Sequence, residues 1–205
     1  MRGASKPESK QALRTVMLSR RRTLGAVDVA AWSRAIQATV LDLSEYRTAR
    51  SVALYSPVQN EVGTEPILAH AVACGKAVFY PKTVQNDTPE LIRVNSAAEL
   101  RPGRFGIAEP SGAAPLAGSN SASLIVFVPG VAFDLLGNRL GRGQGCYDRI
   151  LSVLPSSATV VALAYEFQIV PMLPIEAWDR RVHYIVTERR AIDCATTPVQ
   201  SVQIS

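Results

Sequence analysis

The sequence contains little cysteine and few aromatic residues, and both shortages narrow what the protein can be. Its three cysteines, Cys74, Cys146 and Cys194, lie far apart without a Cys-x-x-Cys pair. This argues against a disulfide framework and a zinc site, and it predicts a reducing compartment, which we take to be the cytoplasm. Aromatic residues make up 6% of the chain, too few to interleave with basic side chains on a nucleic-acid-binding surface. We therefore expect no nucleic acid among its partners.

Long hydrophobic runs and a strong net charge are also missing. No apolar run approaches the ~20 residues that a membrane helix requires, so we expect no membrane partner. The first residues lack the apolar core of a signal peptide, and Glu8 in an early helix argues against a transit peptide. The net charge of +5, from 22 basic and 17 acidic residues, is compatible with anionic ligands but selects no particular partner.

Short apolar runs alternate along the chain with segments of helical periodicity. A chain of 205 residues is long enough for one domain with a sizeable core, which we expect to span residues 1–194, with a frayed tail at 195–205. The alternation predicts an α/β fold of three layers, a mostly parallel sheet with helices on both faces. Residues 108–123, rich in Ala, Gly, Ser and Pro, predict a surface excursion. The predicted strands cover residues 51–55, 77–80, 91–94, 124–128, 160–164 and 184–186.

Capping residues indicate where the helices begin and end. Ser5 is typical of a helix start, and Gly25 is typical of a helix end. Asp28 is predicted to cap a second helix and Thr64 a third. A further helix over about residues 146–154 is predicted to link two of the apolar strands.

The most informative segment follows the apolar run at 124–128. Glycine lets backbone N–H groups approach an anion closely, and arginine matches phosphate oxygens, so a loop rich in both predicts a polyphosphate site. Asp148 adds a hard oxygen ligand of the kind that Mg²⁺ prefers. The loop is neither a P-loop nor a dinucleotide fingerprint, so a glycine-rich surface connection with solvated arginines stays open. Its glycines and arginines are Gly137, Arg139, Gly141, Arg142, Gly143, Gly145 and Arg149.

Several motifs, in the same order along the chain, resemble one known family. The segment Pro-Gly-Val-Ala-Phe-Asp at 129–134, followed by Gly-Asn-Arg-Leu-Gly-x-Gly-x-Gly-x-Tyr-Asp-Arg at 137–149, resembles the signature of the 5-formyltetrahydrofolate cyclo-ligases, also called methenyltetrahydrofolate synthetases. The resemblance extends over about residues 8 to 190. Further similar motifs are Lys-x-x-Leu-Arg at 10–14, Asn-Glu-Val-x-Thr at 60–64, Gly-Ile-x-Glu-Pro at 106–110, Ala-Tyr-Glu-Phe-Gln at 164–168 and Asp-Arg-Arg-Val at 179–182.

The resemblance implies an ATP site on the first helix and the glycine-rich loop. Lys10 and Arg14 are four residues apart and share a helix face. From the pattern alone, this face could equally be a basic surface exposed to solvent. The resemblance also implies Mg²⁺ as a cofactor, held by Asp148 and Asp179. Considered alone, either aspartate would more often be a helix cap or a surface acid. The implied ATP-binding residues are Lys10, Arg14, Arg139, Leu140, Gly141, Arg142, Gly143, Gln144, Gly145, Cys146 and Tyr147, of which Arg139 and Arg142 are expected to be catalytic.

The resemblance also implies a folate site next to the ATP site. Glu61 follows a strand, where open α/β sheets place ligand groups, and its carboxylate could accept hydrogen bonds from a pterin-like ring. Its position alone would also allow a surface acid. The implied partners are 5-formyltetrahydrofolate and ATP, bound by a monomer. The implied substrate-binding residues are Ser56, Glu61, Arg142, Gly143, Gln144, Gly145 and Cys146.

The implied reaction is the ATP-dependent cyclisation of 5-formyltetrahydrofolate to 5,10-methenyltetrahydrofolate, with release of ADP and phosphate. Three residues depart from the family pattern: Cys146 replaces a usual tyrosine, Trp178 a common histidine and His183 a common second aspartate. A catalytic thiol at Cys146 is not expected, because neither histidine is next to it in the sequence. The alternative is a non-catalytic folate- or nucleotide-binding protein on the same fold. An RNA-binding relative would need an aromatic stacking platform that the sequence lacks.

Overall fold

The computed structural model describes residues 9–83, 89–103, 106–117, 123–176 and 179–196, which form helices around one large and two small sheets. The helices are α1 (Lys10–Arg22), α2 (Ala26–Asp42), α3 (Ser44–Thr48), α4 (Glu65–Ala73) and α5 (Cys146–Ser152). The strands are β1 (Ser51–Ala53), β2 (Ala77–Thr83), β3 (Pro89–Val94), β4 (Leu100–Pro102), β5 (Ala108–Pro110), β6 (Leu124–Val128), β7 (Ala132–Asp134), β8 (Arg139–Leu140), β9 (Thr159–Leu163), β10 (Ile169–Val170), β11 (Tyr184–Val186) and β12 (Ala191–Asp193).

Seven strands form the main sheet in the order β12-β11-β9-β6-β1-β2-β3. The five central strands run parallel, whereas β12 and β3 pair antiparallel with their neighbours at the two edges. In the centre, Val52 of β1 lies between Val78 of β2 and Ile125 of β6. All residues of β1 and β6 are buried, as expected for parallel strands that are covered on both faces. The prediction of a mostly parallel sheet is confirmed.

Alternate residues of the strands build one core layer on each face of the main sheet. Ile125 and Phe127 of β6 pack on the face that α2, α3 and α4 cover. Val126 lies on the opposite face, where α5 and β7 contribute the buried Ile150 and Phe133. Helices therefore cover both faces, which confirms the three-layer α/β fold.

Helix α1 packs against the second sheet, whose three strands have the order β10-β7-β8. Leu13 of α1 is buried together with Ala132 of β7, Leu140 of β8 and Leu173. Because β8 leads directly into the glycine-rich loop, this contact holds α1 beside that loop. The third sheet contains only the antiparallel strands β4 and β5.

The boundaries of the first two helices differ from those predicted. Helix α1 begins after Ser9, whose Oγ accepts a hydrogen bond from the backbone N–H of Ala12 at 3.2 Å. The predicted cap Ser5 lies outside the described residues. Gly25 is the N-cap of α2 and not the end of α1, and Asp28 lies in the first turn of α2. There its negative charge suits the helix dipole, so the residue favours the helix start without capping it.

The other boundaries agree more closely with prediction. Thr64 is at the N-cap position of α4, although its hydroxyl donates to the carbonyl oxygen of Tyr55 at 2.8 Å instead of capping the helix. The excursion predicted at 108–123 contains β5 and a bridge between Pro115 and Ile92. In the part of the chain that the structure describes, no helix is long and apolar enough to cross a membrane.

Candidate active site

A cleft of about 720 Å³ lies at the carboxyl ends of the central strands. Ser56 follows β1, Thr83 ends β2 and Pro129 follows β6, and all three line the cleft. Open α/β sheets bind ligands at this edge. The structure brings together in this cleft all the residues with a predicted site role. Their individual contacts with ligands stay predictions. They are Lys10, Arg14, Ser56, Glu61, Arg139, Leu140, Gly141, Arg142, Gly143, Gln144, Gly145, Cys146, Tyr147, Asp148 and Asp179.

The glycine-rich loop joins β8 to α5 and forms one wall of the cleft. Gly143 (φ +99°) and Gly145 (φ +64°) have left-handed backbone conformations that residues with a Cβ rarely adopt. Arg14 Nε donates to the carbonyl oxygen of Gly141 at 2.9 Å, so α1 holds the backbone of the loop. Arg14 therefore has a structural contact in addition to its predicted contact with ATP.

Arg139 is buried beside the loop and is held from two sides. Its Nη2 donates to Oδ1 of Asp148 at 2.5 Å, and its guanidinium carbon lies 5.6 Å from the centre of the Tyr147 ring. A Cβ on Gly141 would lie 2.9 Å from Nη1, so glycine leaves room for the guanidinium group. The Nε of Arg139 is buried and has no hydrogen-bond partner among the described residues. An unsatisfied donor at the cleft suits an anion such as a phosphate oxygen.

Glu61 is a buried carboxylate that contacts two guanidinium groups. Its Oε1 lies 3.2 Å from Nη2 of Arg21 and 3.2 Å from Nη2 of Arg142, and its Oε2 accepts a hydrogen bond from the backbone N–H of Val58 at 3.1 Å. The Glu61 side chain is only 6% exposed. The contact with Arg142 links the predicted folate residue directly to the predicted phosphate loop.

Lys10 lies between two carboxylates at the other side of the loop. Its Nζ is 3.0 Å from Oδ2 of Asp179 and 3.0 Å from Oε2 of Glu176. Burial lowers the pKa of Lys10, but the hydrogen bonds to Glu176 and Asp179 outweigh this effect and raise the pKa above its ordinary value. The ammonium group therefore stays charged at neutral pH.

Asp148 and Asp179 offer hard oxygen atoms to the cleft, which is the donor chemistry that Mg²⁺ prefers. Each carboxylate contacts a cation through one oxygen, Asp148 through Oδ1 and Asp179 through Oδ2. The described residues contain no cluster of three or more His, Cys, Asp or Glu side chains suited to a metal. Two carboxylates nevertheless fit Mg²⁺, since this ion commonly combines one or two of them with phosphate oxygens and water.

The departures from the family pattern lie at different distances from the cleft. Cys146 lines it, and burial raises the pKa of its thiol, which supports the expectation that it is not a nucleophile. Nδ1 of His183 accepts a hydrogen bond from the backbone N–H of Val160 at 2.8 Å, near the start of β9. The cleft lies at the opposite ends of the strands, so His183 supports the sheet there. Trp178 lies outside the described residues.

Some cleft residues were not predicted. Glu176 precedes Asp179 in the chain but had no predicted role, and Glu109 comes from the motif at 106–110. Ser56 Oγ donates to the carbonyl oxygen of Ala108 at 2.5 Å, so the end of β1 is tied to that wall. Arg21, which holds Glu61, belongs to a basic run that is typical of a solvated surface. The sequence of α1 alone could not have indicated that Arg21 is buried, because this depends on where the segment that carries Glu61 lies.

Comparisons with known proteins agree with this arrangement. The sequence model of the 5-formyltetrahydrofolate cyclo-ligase family matches residues 6–188. The 5-formyltetrahydrofolate cyclo-ligase of Mus musculus is 29% identical over 196 residues, which are 88% of this chain and 94% of the relative. The 5-formyltetrahydrofolate cyclo-ligase of Haemophilus influenzae is 32% identical over 179 residues, which are 84% of this chain and 94% of the relative.

Solved structures show the same relationship. The 5,10-methenyltetrahydrofolate synthetase of Aquifex aeolicus matches with a TM-score of 0.81 at 34% identity and covers 95% of this chain and 97% of that one. The 5,10-methenyltetrahydrofolate synthetase from Mycoplasma pneumoniae has a TM-score of 0.70 and covers 88% of this chain and 99% of that one. At 23% identity it supports the fold alone. From these matches, the chain belongs to the 5-formyltetrahydrofolate cyclo-ligase family.

Proposed function

We propose that the chain catalyses the ATP-dependent cyclisation of 5-formyltetrahydrofolate to 5,10-methenyltetrahydrofolate, with release of ADP and phosphate. The observation that supports it best is a single cleft in which a cationic glycine-rich loop touches a buried carboxylate, through the contact of Arg142 with Glu61. A reaction between two co-substrates requires both to lie in one cavity. The relatives are named for this formyl substrate or this methenyl product.

The chemical difficulty is that a formamide oxygen is a poor leaving group. Transfer of the γ-phosphoryl group to that oxygen breaks the bond to ADP and forms a new O–P bond. The N10 amine then attacks the formyl carbon, the C–O bond breaks, phosphate departs with the oxygen, and N10 loses its proton. Positioning and charge stabilisation dominate phosphoryl transfer, so cations in a fixed geometry matter more than a general base.

The cations of the cleft match this requirement. Arg142 is 35% exposed on the loop, so it can contact the transferring phosphoryl group. Arg139 is buried beside the loop with an unpartnered Nε, and we assign it to the same group. We assign the binding of ATP to Lys10 and Arg14, together with the loop backbone. Mg²⁺, held by Asp148 and Asp179, would supply charge neutralisation at the phosphates when bound.

The acidic side of the cleft suits the folate. Glu61 is buried and fixed by three contacts, so its carboxylate can orient a ring that presents several N–H donors. Ser56 lies nearby at the end of β1 and is the second proposed contact. The cysteine usage supports a cytoplasmic location, and size-exclusion chromatography tests the expected monomer.

The direct test is the appearance of the methenyl product, followed by its absorbance, from 5-formyltetrahydrofolate and MgATP. We expect one ADP per methenyl product, no product without ATP, and a loss of at least tenfold in turnover for Arg139→Met. A protein that binds both ligands in calorimetry but forms no product would instead be the non-catalytic binding protein. A protein that binds neither ligand would refute the proposed function.

A further inference from the structure

Arg21 on α1 lies behind the wall of the cleft and is buried, with 2% of its side chain exposed. Its Nε donates to the carbonyl oxygen of Gln59 at 3.1 Å, and its Nη1 donates to that of Gly130 at 3.0 Å. Its Nη2 donates to Oε1 of Glu61 at 3.2 Å. All three acceptors belong to residues that line the cleft, on the segments that follow β1 and β6. One guanidinium group therefore fixes two separate segments of the cleft wall.

The segment that carries Glu61 has a backbone shape that needs external support. Gln59 (φ +50°) and Asn60 (φ +59°) both adopt left-handed conformations without being glycine. Such residues persist only where surrounding contacts determine their conformation. Nδ2 of Asn60 donates to the carbonyl oxygens of Arg21 and Leu24 at 3.1 and 3.3 Å, so the end of α1 holds this segment by backbone as well as by side chain.

The charges around Glu61 distinguish its two partners. A buried carboxylate is stable only while a cation compensates it, and Glu61 has two such cations. Arg142 lies on the glycine-rich loop with 35% of its side chain exposed, so it can turn toward a phosphate. Arg21 is enclosed and bound at all three nitrogens. Glu61 therefore keeps a compensating charge when Arg142 serves the other substrate.

We infer that Arg21 is a positioning residue for the folate site. It compensates the charge of Glu61 and holds its carboxylate in place at the cleft, and it acts on the folate only through Glu61. This inference rests on the proposed function, since it takes 5-formyltetrahydrofolate as the ligand of Glu61. It separates Arg21 from Lys10 and Arg14, which lie on the same helix but contact Asp179 and the backbone of Gly141, respectively.

The first experiment compares Arg21→Met, Arg21→Lys and the matched control Arg22→Met, which removes an exposed arginine from the same helix. For Arg21→Met we expect 5-formyltetrahydrofolate to bind at least tenfold more weakly, while the KM for MgATP stays within threefold. Arg21→Lys restores part of the folate affinity, because it keeps the charge but cannot make three directed hydrogen bonds. Arg22→Met leaves both values unchanged. If Arg21→Met is too unstable to purify, Arg21→Lys alone still gives the comparison of the two ligands.

The second experiment is a double-mutant cycle with Glu61→Gln, measured as folate affinity by calorimetry. If Arg21 acts through Glu61, Arg21→Met weakens binding at least tenfold in the wild-type background and less than threefold in the Glu61→Gln background. An equal effect in both backgrounds, or an equal loss of both ligands, makes Arg21 merely structural and overturns the inference. Failure of the proposed function is distinct from this result, because the unmutated protein itself would then not bind 5-formyltetrahydrofolate.

Discussion

At the scale of single residues, several charges of the cleft are already paired within the protein. Glu61 contacts Arg21 and Arg142, and Lys10 contacts Asp179. Such pairs hold the side chains in place before a substrate arrives, which reduces the entropy lost on binding. A substitution at one member of a pair therefore also leaves its partner without a counter-charge. Ligand affinities of such variants must be compared together with their free energies of unfolding.

Glu61→Gln tests the acidic side of the cleft. Glutamine keeps the size but loses the charge, and its N–H donors would meet the N–H groups of the pterin ring. An unpaired, desolvated donor costs roughly 1–3 kcal/mol, so the affinity for 5-formyltetrahydrofolate should fall about 5- to 150-fold. Calorimetry with MgATP alone is the comparison, and its affinity should change less than that for the folate, although Glu61 also contacts Arg142 of the glycine-rich loop. A variant that binds the folate as tightly as the wild type would remove Glu61 from the site.

The three cysteines should differ in their reaction with iodoacetamide at pH 8. Cys74 is exposed, whereas Cys146 and Cys194 are partly buried. Burial raises the pKa of the Cys146 thiol, and it raises the pKa of the Cys194 thiol to about 12. Because only the thiolate reacts, mass spectrometry should show Cys74 modified at least tenfold faster than the other two. Rapid modification of Cys146 would contradict the raised pKa and make a thiolate role at the cleft worth testing.

The difference between Glu61 and Arg21 shows what the sequence could tell about single residues. Glu61 follows an apolar strand and lies in a motif that the resemblance connects with folate, so its place at the cleft could be predicted. Arg21 lies between Arg20 and Arg22 in a run that is typical of a solvated face. Which of the three points inward depends on the rotation of α1 against a segment about forty residues away. That relation is set by tertiary packing and leaves no local pattern.

At the scale of elements, the turn between β7 and β8 depends on a glycine. Gly137 has φ +80°, and a Cβ there would lie 2.3 Å from the carbonyl oxygen of Val182. The backbone N–H of Val182 also donates to the carbonyl oxygen of Gly137 at 2.8 Å. The turn before the glycine-rich loop and the segment before β11 are therefore packed backbone against backbone.

Gly137→Ala should destabilise the protein by about 2 kcal/mol or more, because left-handed strain and a backbone clash act together. The matched control is Gly75→Ala, since Gly75 has φ +71° but a Cβ at that position would meet nothing within 4 Å. The control should lose only the strain, about 1 kcal/mol. Denaturant unfolding measures both values. Equal losses in the two variants would mean that the contact with Val182 is not important.

Most strands of the main sheet could be predicted from their apolar residues, whereas the strands of the small sheets could not. Six of the seven strands of the main sheet, from β1 to β11, coincide with a predicted strand, whereas β12 was not predicted. The strands of the small sheets, such as β8 and β10, are two or three residues long and too short to show a period. They form because α1 and the loops bring them together, so their sequence carries no signal of its own. The cap at Asp28 was wrong for a related reason, since charge in a first turn resembles a cap.

At the scale of the whole molecule, the cleft joins parts of the chain that are far apart in sequence. Lys10 comes from the first helix, Asp148 from α5, and Asp179 from the segment before β11. The alternation of strands and helices could predict the layers and the edge at which ligands bind. It could not place α1 over the glycine-rich loop, because that contact depends on the small sheet. The resemblance to a family supplied that connection instead.

A ligand that bridges these parts should stabilise the entire fold. At a concentration of 100 Kd, MgATP should add about 2.7 kcal/mol, which is a rise in Tm of roughly 5–10 °C for a protein of this size. Asp148→Asn and Asp179→Asn should each weaken MgATP at least tenfold and so remove about half of that rise, since 1.4 kcal/mol corresponds to a factor of ten.

The rise in Tm, and not Tm itself, is the quantity to compare, because each substitution also releases a partner, Arg139 for Asp148 and Lys10 for Asp179. Asp42→Asn, at an exposed position at the end of α2, is the matched control and should keep the full rise. ATP without Mg²⁺ should give a smaller rise in the wild type, and the two cleft variants should differ little from the wild type under that condition. If either variant keeps the full rise with MgATP, its carboxylate does not hold the metal, and its contact with the neighbouring cation is its whole function.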